Sequence, residues 1–381
     1  MAEIMLNHIS HRYGDGDQAL RNIDLVWENG GAYALLGPSG CGKSTMLDII
    51  SGLLAPSEGE VLFDGVDVSG MSPADRNIAQ VFQFPVLYES MTVEQNLRFP
   101  LRNRGIGKIE AQKRAEEISE LLEIGDLRRR RAKALSADAK QLVSLGRALV
   151  RRDVSAILFD EPLTVIDPQK KWGIRQALKR VHQELNHTLV YVTHDQTEAL
   201  TFADEVVVMS AGEVVQKATP DVLFERPAHR FVGNFIGSPG MNFLPATVSG
   251  SRVGVGGVDL LDAPGCPGVT DADAGASASA DLVVGIRPEF VRCHGANGSG
   301  RIRATIRRQQ DLGTTFQFDL SVGGTRLVAK LPERPDFSGA ECWVDFDPGH
   351  LMLFYKDQAV EGVTPLRIPA GAVSSRAEPG S

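Results

Sequence analysis

The chain lacks the features that mark a secreted, zinc-bound or membrane-spanning protein. It has four cysteines in 381 residues and no CxxC spacing, so neither a disulfide framework nor a structural zinc site is indicated. Its longest apolar runs, such as "EVVVM" and "TLVYV", fall far short of the roughly 20 residues that a membrane helix needs. The first residues show no basic start followed by an apolar core, so no secretory leader is expected. A reducing, cytoplasmic setting fits these absences.

The chain also lacks an excess of positive charge. Its formal net charge is -8, whereas a general nucleic-acid binder needs a basic face for its phosphate contacts. One basic run exists, Arg128 to Arg131, but a run of that length is most often a solvated surface. We therefore expect no nucleic-acid partner.

Length and composition are those of a soluble protein with two domains. The chain is 43% hydrophobic and 23% charged, and it is too long for one ordinary core. Short apolar runs followed by glycine-rich turns and helical patterns predict a largely parallel α/β sheet in the first domain, residues 1–240. Helix formers dominate residues 89–152 and predict a helical subdomain inserted into that core.

The composition and hydrophobic pattern of the sequence change after about Gly240. Alternating and β-rich runs with Gly-Gly and Pro punctuation predict a small all-β domain over residues 241–360. Within it, residues 262–282 are rich in Gly, Ala, Ser and Asp and predict a mobile loop. Residues 361–381 predict a disordered tail.

A phosphate-binding loop is the strongest motif in the chain. The segment "GPSGCGKST" follows the apolar "YALL" and precedes the helix-like "MLDII", which makes a merely structural glycine turn a poor alternative. The loop amides and the start of the following helix form an anion cradle. Lys43 is expected to reach the β and γ phosphates of ATP, and Ser44 to bind Mg²⁺. The predicted nucleotide site comprises Gly37, Pro38, Ser39, Gly40, Cys41, Gly42, Lys43, Ser44 and Thr45.

Two acidic residues end another apolar run, "SAILFDEP". Asp160 can hold Mg²⁺ through water, and Glu161 is placed to act as general base toward an attacking water. A solvated strand end is the alternative, but the upstream phosphate loop disfavours it. His194 ends a third apolar run, and from spacing alone it is better explained as a hydrogen-bonded strand-end histidine.

Together these motifs resemble the nucleotide-binding subunits of ABC transporters, in particular the maltose-type and glycerol-phosphate-type import ATPases. The resemblance spans about Glu3 to Tyr355. It implies an α/β P-loop NTPase of the ABC type with an inserted helical subdomain, followed by a small all-β, OB-like domain of the TOBE type. The segments "GIRPE" and "FDPGHLMLF" carry the second part of the resemblance.

The resemblance also implies roles for residues that spacing leaves undecided. Tyr13 would stack on adenine, and Gln83 would link Mg²⁺ and the attacking water to the contact with the membrane subunits. Asp167 would end the D-loop. His194 would be the switch histidine beside the γ phosphate, which reverses the reading from spacing alone.

One motif departs from the family, because the signature is "LSADA". In the family, two ATPase domains pack head to tail, and the signature of each holds the other's ATP through close backbone approaches at glycines. Here Ser136 is followed by Ala137, which adds a methyl group, and by Asp138, which adds a negative charge. At roughly 6 Å and an effective dielectric near 20, two like charges repel by about 2 to 3 kcal/mol. Asp138 could alternatively act as a helix cap.

The resemblance implies an ATPase that uses ATP and Mg²⁺ to power import of a sugar, polyol, glycerol or glycerol phosphate. Because the residues toward its own ATP are intact and the signature is not, we expect a second, different ATPase subunit as its partner in preference to a second copy of this chain, which is the alternative. Transmembrane permease subunits and, indirectly, a periplasmic solute-binding protein would complete the assembly at the cytoplasmic face of the bacterial inner membrane. The alternatives are a non-hydrolysing regulatory or structural subunit and a soluble ABC-type ATPase unconnected with transport.

Overall fold

The computed structural model describes residues 2–14, 16–185, 187–266, 281–298, 300–335, 337 and 339–366. It divides into two compact units, Met1–Pro220 and Asp221–Ser381. The division therefore falls before the domain boundary that the change in composition near Gly240 predicts. Most of the predicted mobile loop and most of the predicted tail lie outside the described residues. Of the tail, residues 361–366 are described, and 364–365 form a short strand.

The described part of the first unit consists of two sheets and a set of helices. The strands are β1 (Ile4–Arg12), β2 (Gln18–Trp27), β3 (Ala32–Leu36), β4 (Glu58–Phe63), β5 (Val66–Asp67), β6 (Ala79–Val81), β7 (Ile157–Asp160), β8 (Leu189–Thr193), β9 (Glu205–Ser210) and β10 (Glu213–Ala218). The helices are α1 (Lys43–Ser51), α2 (Val93–Asn103), α3 (Lys108–Leu121), α4 (Ala137–Leu149), α5 (Pro168–Leu185) and α6 (Gln196–Phe202).

The larger sheet has the order β10-β9-β3-β8-β7-β6, and β10 alone is antiparallel to its neighbour. Strands β3 and β8 are buried along their whole length, which is why they read as continuous apolar runs rather than alternating ones. A second, antiparallel sheet has the order β2-β1-β4-β5. Since parallel strands end at the same edge, the loops after β3, β6, β7 and β8 open along one edge of the larger sheet.

Helices α2, α3 and α4 occupy the stretch predicted to be helical. A capping box between Thr92 and Gln95 starts α2, where it satisfies orphan backbone donors. Gly146 in α4 allows a close approach, because a Cβ there would lie 2.6 Å from the side chain of Leu97 in α2. No helix among the described residues is long and apolar enough to cross a membrane.

The second unit is built from antiparallel strands. Its strands are β11 (Asn242–Pro245), β12 (Thr247–Ser249), β13 (Arg252–Val255), β14 (Val258–Asp262), β15 (Leu282–Ile286), β16 (Val291–His294), β17 (Ile302–Asp311), β18 (Phe316–Val322), β19 (Thr325–Leu331), β20 (Glu341–Phe346), β21 (Met352–Tyr355), β22 (Gln358–Ala359) and β23 (Thr364–Pro365). Among the described residues of this unit, the strands form three sheets, ordered β11-β15-β21-β22, β12-β13-β14-β23 and β16-β20-β17-β18-β19. Every pairing in these sheets is antiparallel. The predicted all-β character of this region is therefore confirmed.

Arg287 explains why two short helices, α7 (Pro220–Glu225) and α8 (Arg230–Phe235), group with the second unit. This arginine follows β15, is 2% exposed, and donates hydrogen bonds to backbone carbonyls in and beside both helices. Burial lowers the pKa of Arg287 to about 10. Five donors in a rigid fork let one side chain satisfy several carbonyls at once.

Candidate nucleotide site

The phosphate loop connects β3 to α1, at the edge where the parallel strands end. Gly42 precedes the helix with a φ of 102°, a conformation that residues with a Cβ rarely adopt. A Cβ on Gly42 would also lie 2.6 Å from the carbonyl oxygen of Ala19. The first turn of α1, which is fully described, contains no acidic residue. The positive end of the helix dipole is therefore left for an external anion.

Lys43 lies inside the loop rather than in solvent. Its side chain is buried, with the residue 6% exposed, and its Nζ donates to the carbonyl oxygens of Gly37 and Pro38 at 2.9 Å each. A phosphate oxygen bound in the loop would become an additional acceptor for this ammonium group. The neighbouring cavity has a volume of 330 Å³, within the range of small-ligand sites. Its lining residues are Tyr13, Ala19, Ser39, Gly40, Gly42, Lys43, Ser44, Thr45 and Glu161.

Ser44 and Asp160 meet across the loop. The Ser44 hydroxyl donates to the Asp160 carboxylate at 3.3 Å, which joins the start of α1 to the end of β7. Burial raises the pKa of Asp160, and the negative charges of Asp48 and Glu161 raise it further. The hydrogen bond from Ser44 acts in the opposite direction. Asp48, Asp160 and Glu161 are half-buried, and carboxylates close to one another form an environment that a cation would stabilise.

Glu161 and His194 form a pair at the ends of adjacent strands β7 and β8. The Nδ1 atom of His194 lies 3.0 Å from Oε1 of Glu161. Glu161 has a φ of 45°, and its backbone N–H donates to the carbonyl of Val192 at 2.9 Å. A left-handed conformation at a non-glycine residue costs on the order of 1 to 3 kcal/mol and is concentrated at functional sites. The strained turn places the Glu161 side chain at the cavity beside the phosphate loop.

Tyr13 lies at the mouth of the cavity. Its hydroxyl is 3.2 Å from Oγ1 of Thr45, and its ring packs edge-on against His11 with the centroids 4.6 Å apart. The ring is otherwise exposed, so one aromatic face is available to a planar base.

Gln83 and Asp167 lie on loops that leave β6 and precede α5. Gln83 is half-buried, and three exposed apolar side chains follow it, with Phe84 71% exposed. The carboxylate of Asp167 accepts a hydrogen bond from the backbone N–H of Gln169 at 2.9 Å, so it caps the start of α5.

The signature residues do not line this cavity. Ser136 immediately precedes α4, and its hydroxyl donates to the carboxylate of Asp138 in the first turn. The other carboxylate oxygen of Asp138 lies 2.9 Å from Nζ of Lys170 in α5. Hydrogen bonds from Ser136 and Lys170 lower the pKa of Asp138 to about 2.

This geometry corrects one premise of the sequence analysis. Asp138 is not a bare charge, because Lys170 neutralises it within the same chain. Sequence reasoning missed Lys170 because it lies 32 positions from Asp138 and no local pattern joins the two. The only available signal was the lysine in the first turn of a helix that follows a predicted D-loop.

Comparison with known proteins decides the family. A model described as ABC transporter matches residues 20–164, one described as MalK OB fold domain matches 237–291, and one described as TOBE domain matches 284–354. The sn-glycerol-3-phosphate import ATP-binding protein UgpC 3 of Rhizobium johnstonii is 39% identical over 341 residues, which is 89% of this chain and 92% of that protein. The chain belongs to the ABC transporter family.

Further relatives of this ABC ATPase include the lactose transport ATP-binding protein LacK of Rhizobium radiobacter, 40% identical over 88% of this chain and 92% of that protein. A solved structure of cbiO1 from Clostridium perfringens is 29% identical, with a TM-score of 0.54, over 58% of this chain and 90% of that chain. The predicted fold class, an ABC-type core followed by an OB-like TOBE domain, is confirmed, and so is nucleotide binding by an ATPase. Nothing in the comparisons supports a second, different ATPase subunit.

Proposed function

We propose that this ABC ATPase powers the import of a sugar, polyol, glycerol or glycerol phosphate from the cytoplasmic face of a bacterial inner membrane. The observation that carries the proposal is the similarity to UgpC 3, which covers 92% of that import protein and extends through the OB-like domain. The solute passes through the permease and does not contact this subunit, so relatives with different named solutes share one ATPase design.

In the proposed site, the loop amides and Lys43 hold the phosphates of ATP, and Tyr13 stacks on the adenine. The oxygen atoms of Ser44 and Asp160, 3.3 Å apart, fit Mg²⁺, which prefers hard oxygen ligands. The resemblance to the family assigns Gln83 as a further ligand. The raised pKa of Asp160 supports this fit, because a cation would relieve the crowding of carboxylates. When bound, the ion would neutralise phosphate charge.

Glu161 is the proposed general base for hydrolysis. His194 lies 3.0 Å from one oxygen of its carboxylate and orients the group toward the cavity. Glu161 accepts a proton from water as the water oxygen attacks the γ phosphorus, and the bond to the β–γ bridging oxygen breaks to leave ADP and phosphate. His194, on the neighbouring strand end, would hydrogen bond the γ phosphate and report its presence.

The segment after Gln83 is the proposed contact with the permease. Phe84, Val86 and Tyr88 are exposed apolar side chains on one short segment, and clustered exposed apolar groups mark interaction sites. Gln83 directly precedes these side chains, so a movement of this segment against the permease can be transmitted to the nucleotide site. The periplasmic solute-binding protein would act on this subunit only through that permease.

A second, different ATPase subunit is the proposed dimer partner. The proposal rests on Ala137 and Asp138. They replace glycines that would let a phosphate approach the backbone closely, and the hydroxyl of Ser136 is already engaged by Asp138. The partner would supply an unaltered signature to this chain's phosphate loop. Brisk ATP hydrolysis by the purified chain alone would overturn this part of the proposal, whereas hydrolysis that appears only with a second ATPase would support it.

The import function itself is tested by reconstituting the chain with its permease and solute-binding protein in vesicles. ATP hydrolysis is measured with glycerol, glycerol 3-phosphate, lactose and trehalose in turn. Stimulation by one of these solutes, accompanied by its accumulation in the vesicles, is the expected result. Hydrolysis that ignores every solute and the permease would instead favour an ATPase unconnected with transport.

A further inference from the structure

The start of α4 is already occupied by an anion of the chain itself. The carboxylate of Asp138 receives the hydroxyl of Ser136 on one oxygen and the ammonium of Lys170 on the other. A hydroxyl and a lysine ammonium are also donor types that hold phosphate groups.

Lys170 is held in place by the helix that carries it. The next residue, Lys171, lies 3.0 Å from Oε1 of Glu198 in α6, whose side chain is 4% exposed. The other oxygen of Glu198 accepts hydrogen bonds from Tyr191 and Thr193 in β8 at 3.0 Å each. The first turn of α5 is therefore anchored to β8, which ends just before His194, and Lys170 projects from this anchored turn toward α4.

We infer that Asp138, held in place by Lys170 and Ser136, acts as an internal anion that prevents the start of α4 from binding the ATP of a neighbouring ATPase subunit. The inference rests on the proposed function, in which α4 of one subunit faces the nucleotide of another. In this inference Lys170 is the counter-charge of Asp138, and the carboxylate itself is the obstacle. To use the Ser136 hydroxyl, an incoming γ phosphate would have to displace the Asp138 carboxylate. The displaced carboxylate would then remain close to the phosphate.

The inference predicts that Asp138, rather than the alanines beside it, blocks this site. Two full-length variants separate these causes, and both carry Glu161→Gln to prevent hydrolysis. The first combines Ala137→Gly and Ala139→Gln and keeps Asp138. The second adds Asp138→Gly to those changes. Self-association is measured by analytical ultracentrifugation with and without Mg-ATP, and ATP binding to each monomer is measured by calorimetry.

With ATP, the variant without Asp138 is expected to dimerise. Its dissociation constant should be at least about tenfold lower than that of the variant that keeps Asp138, equivalent to about 1.4 kcal/mol. Equal dimerisation of both variants, or of neither, would overturn the inference. Failure of the monomers to bind ATP at all would instead overturn the proposed function, so the two failures are distinguishable.

The role of Lys170 is tested in the same assay. Lys170→Met in the variant that keeps Asp138 should not produce dimers, because the carboxylate stays and loses its counter-charge. In the variant that lacks Asp138, the same change should leave the dimer within about threefold, a difference of under about 0.7 kcal/mol. Lys170→Arg should match the parent in both backgrounds. Dimerisation restored by Lys170→Met alone would show that the lysine, and not Asp138, is the obstacle.

Discussion

Helices α1 and α4 begin in different ways within the same unit. Gly42 leads into α1 with a left-handed backbone, and no acid follows in the first turn, so the helix start faces a cavity with its donors available. Ser136 leads into α4, and Asp138 in the first turn takes up its hydroxyl and a lysine from α5. Both starts carry the same backbone dipole, yet only one of them is open to an external anion.

The contrast shows that a helix dipole alone does not make an anion site. The dipole contributes about 0.3 to 1 kcal/mol near the first turn, and a partly exposed ion pair such as Asp138 with Lys170 contributes a similarly small amount, about 0.2 to 1 kcal/mol. Occupancy of the hydrogen-bond donors therefore decides the outcome. At α1 the backbone amides face a cavity, whereas at α4 the Ser136 hydroxyl and the Lys170 ammonium are already engaged by Asp138.

The strongest test of the open site removes its proposed base. Glu161→Gln should lower ATP hydrolysis in the assembled transporter by about 10² to 10⁴-fold, because a neutral amide cannot accept the proton. Phosphate release measures the rate, and ATP binding should persist. The exposed carboxylate of Glu184 provides a control, since Glu184→Gln should have no effect. Unchanged hydrolysis in Glu161→Gln would favour the non-hydrolysing alternative.

The next largest effect should come from closing the start of α1. Gly42→Ala forces a Cβ to within 2.6 Å of the Ala19 carbonyl oxygen at a φ of 102°, with strain of about 1 to 3 kcal/mol. Titration with a fluorescent ATP analogue should show binding weakened by roughly tenfold to a hundredfold. Gly70→Ala is the matched control, because no atom lies within 4 Å of its added Cβ. Binding unchanged in Gly42→Ala would mean that the loop can open to make room.

The adjacent lysines of α5 should differ in their contribution to stability. Lys171→Met leaves the buried carboxylate of Glu198 without its cation, and we expect a loss of about 2 kcal/mol in the free energy of unfolding. Lys170→Met breaks a pair that is 59% exposed at the lysine and 24% exposed at Asp138, so the loss should stay below about 1 kcal/mol. Urea denaturation measures both. Equal losses would mean that Lys170 holds the start of α4 far more firmly than its exposure implies.

The smallest expected effect is the pH dependence of the Asp138 contacts. Hydrogen bonds from Ser136 and Lys170 lower the pKa of folded Asp138 from the usual 3.8 to about 2, so its stabilising contribution is fully present above about pH 4 and is lost as the pH falls through the folded value. The stability difference between the parent and Asp138→Asn should be below about 1 kcal/mol at neutral pH and should shrink from pH 4 downward. Urea melts at a series of pH values measure the difference. A difference independent of pH would rule out a contribution from the charge.

Much of the molecule could be predicted because its signals are local. The buried strands β3, β7 and β8 read as short apolar runs, and the β-rich runs after Gly240 became the antiparallel strands of the second unit. Helix formers in 89–152 became α2, α3 and α4. The phosphate loop is one continuous segment between a strand and a helix, so both its conformation and its ligand chemistry follow from neighbouring residues.

The tertiary structure decided the contacts between segments that are distant in the chain. The pairing of Asp138 with Lys170 spans 32 positions, and its existence depends on how α4 and α5 pack. The turn at Glu161, with its φ of 45°, is held by the neighbouring strand rather than by the local sequence. Residue types therefore determined which groups this ATPase has available, but only packing determined which donors stay open to a nucleotide and which are already taken.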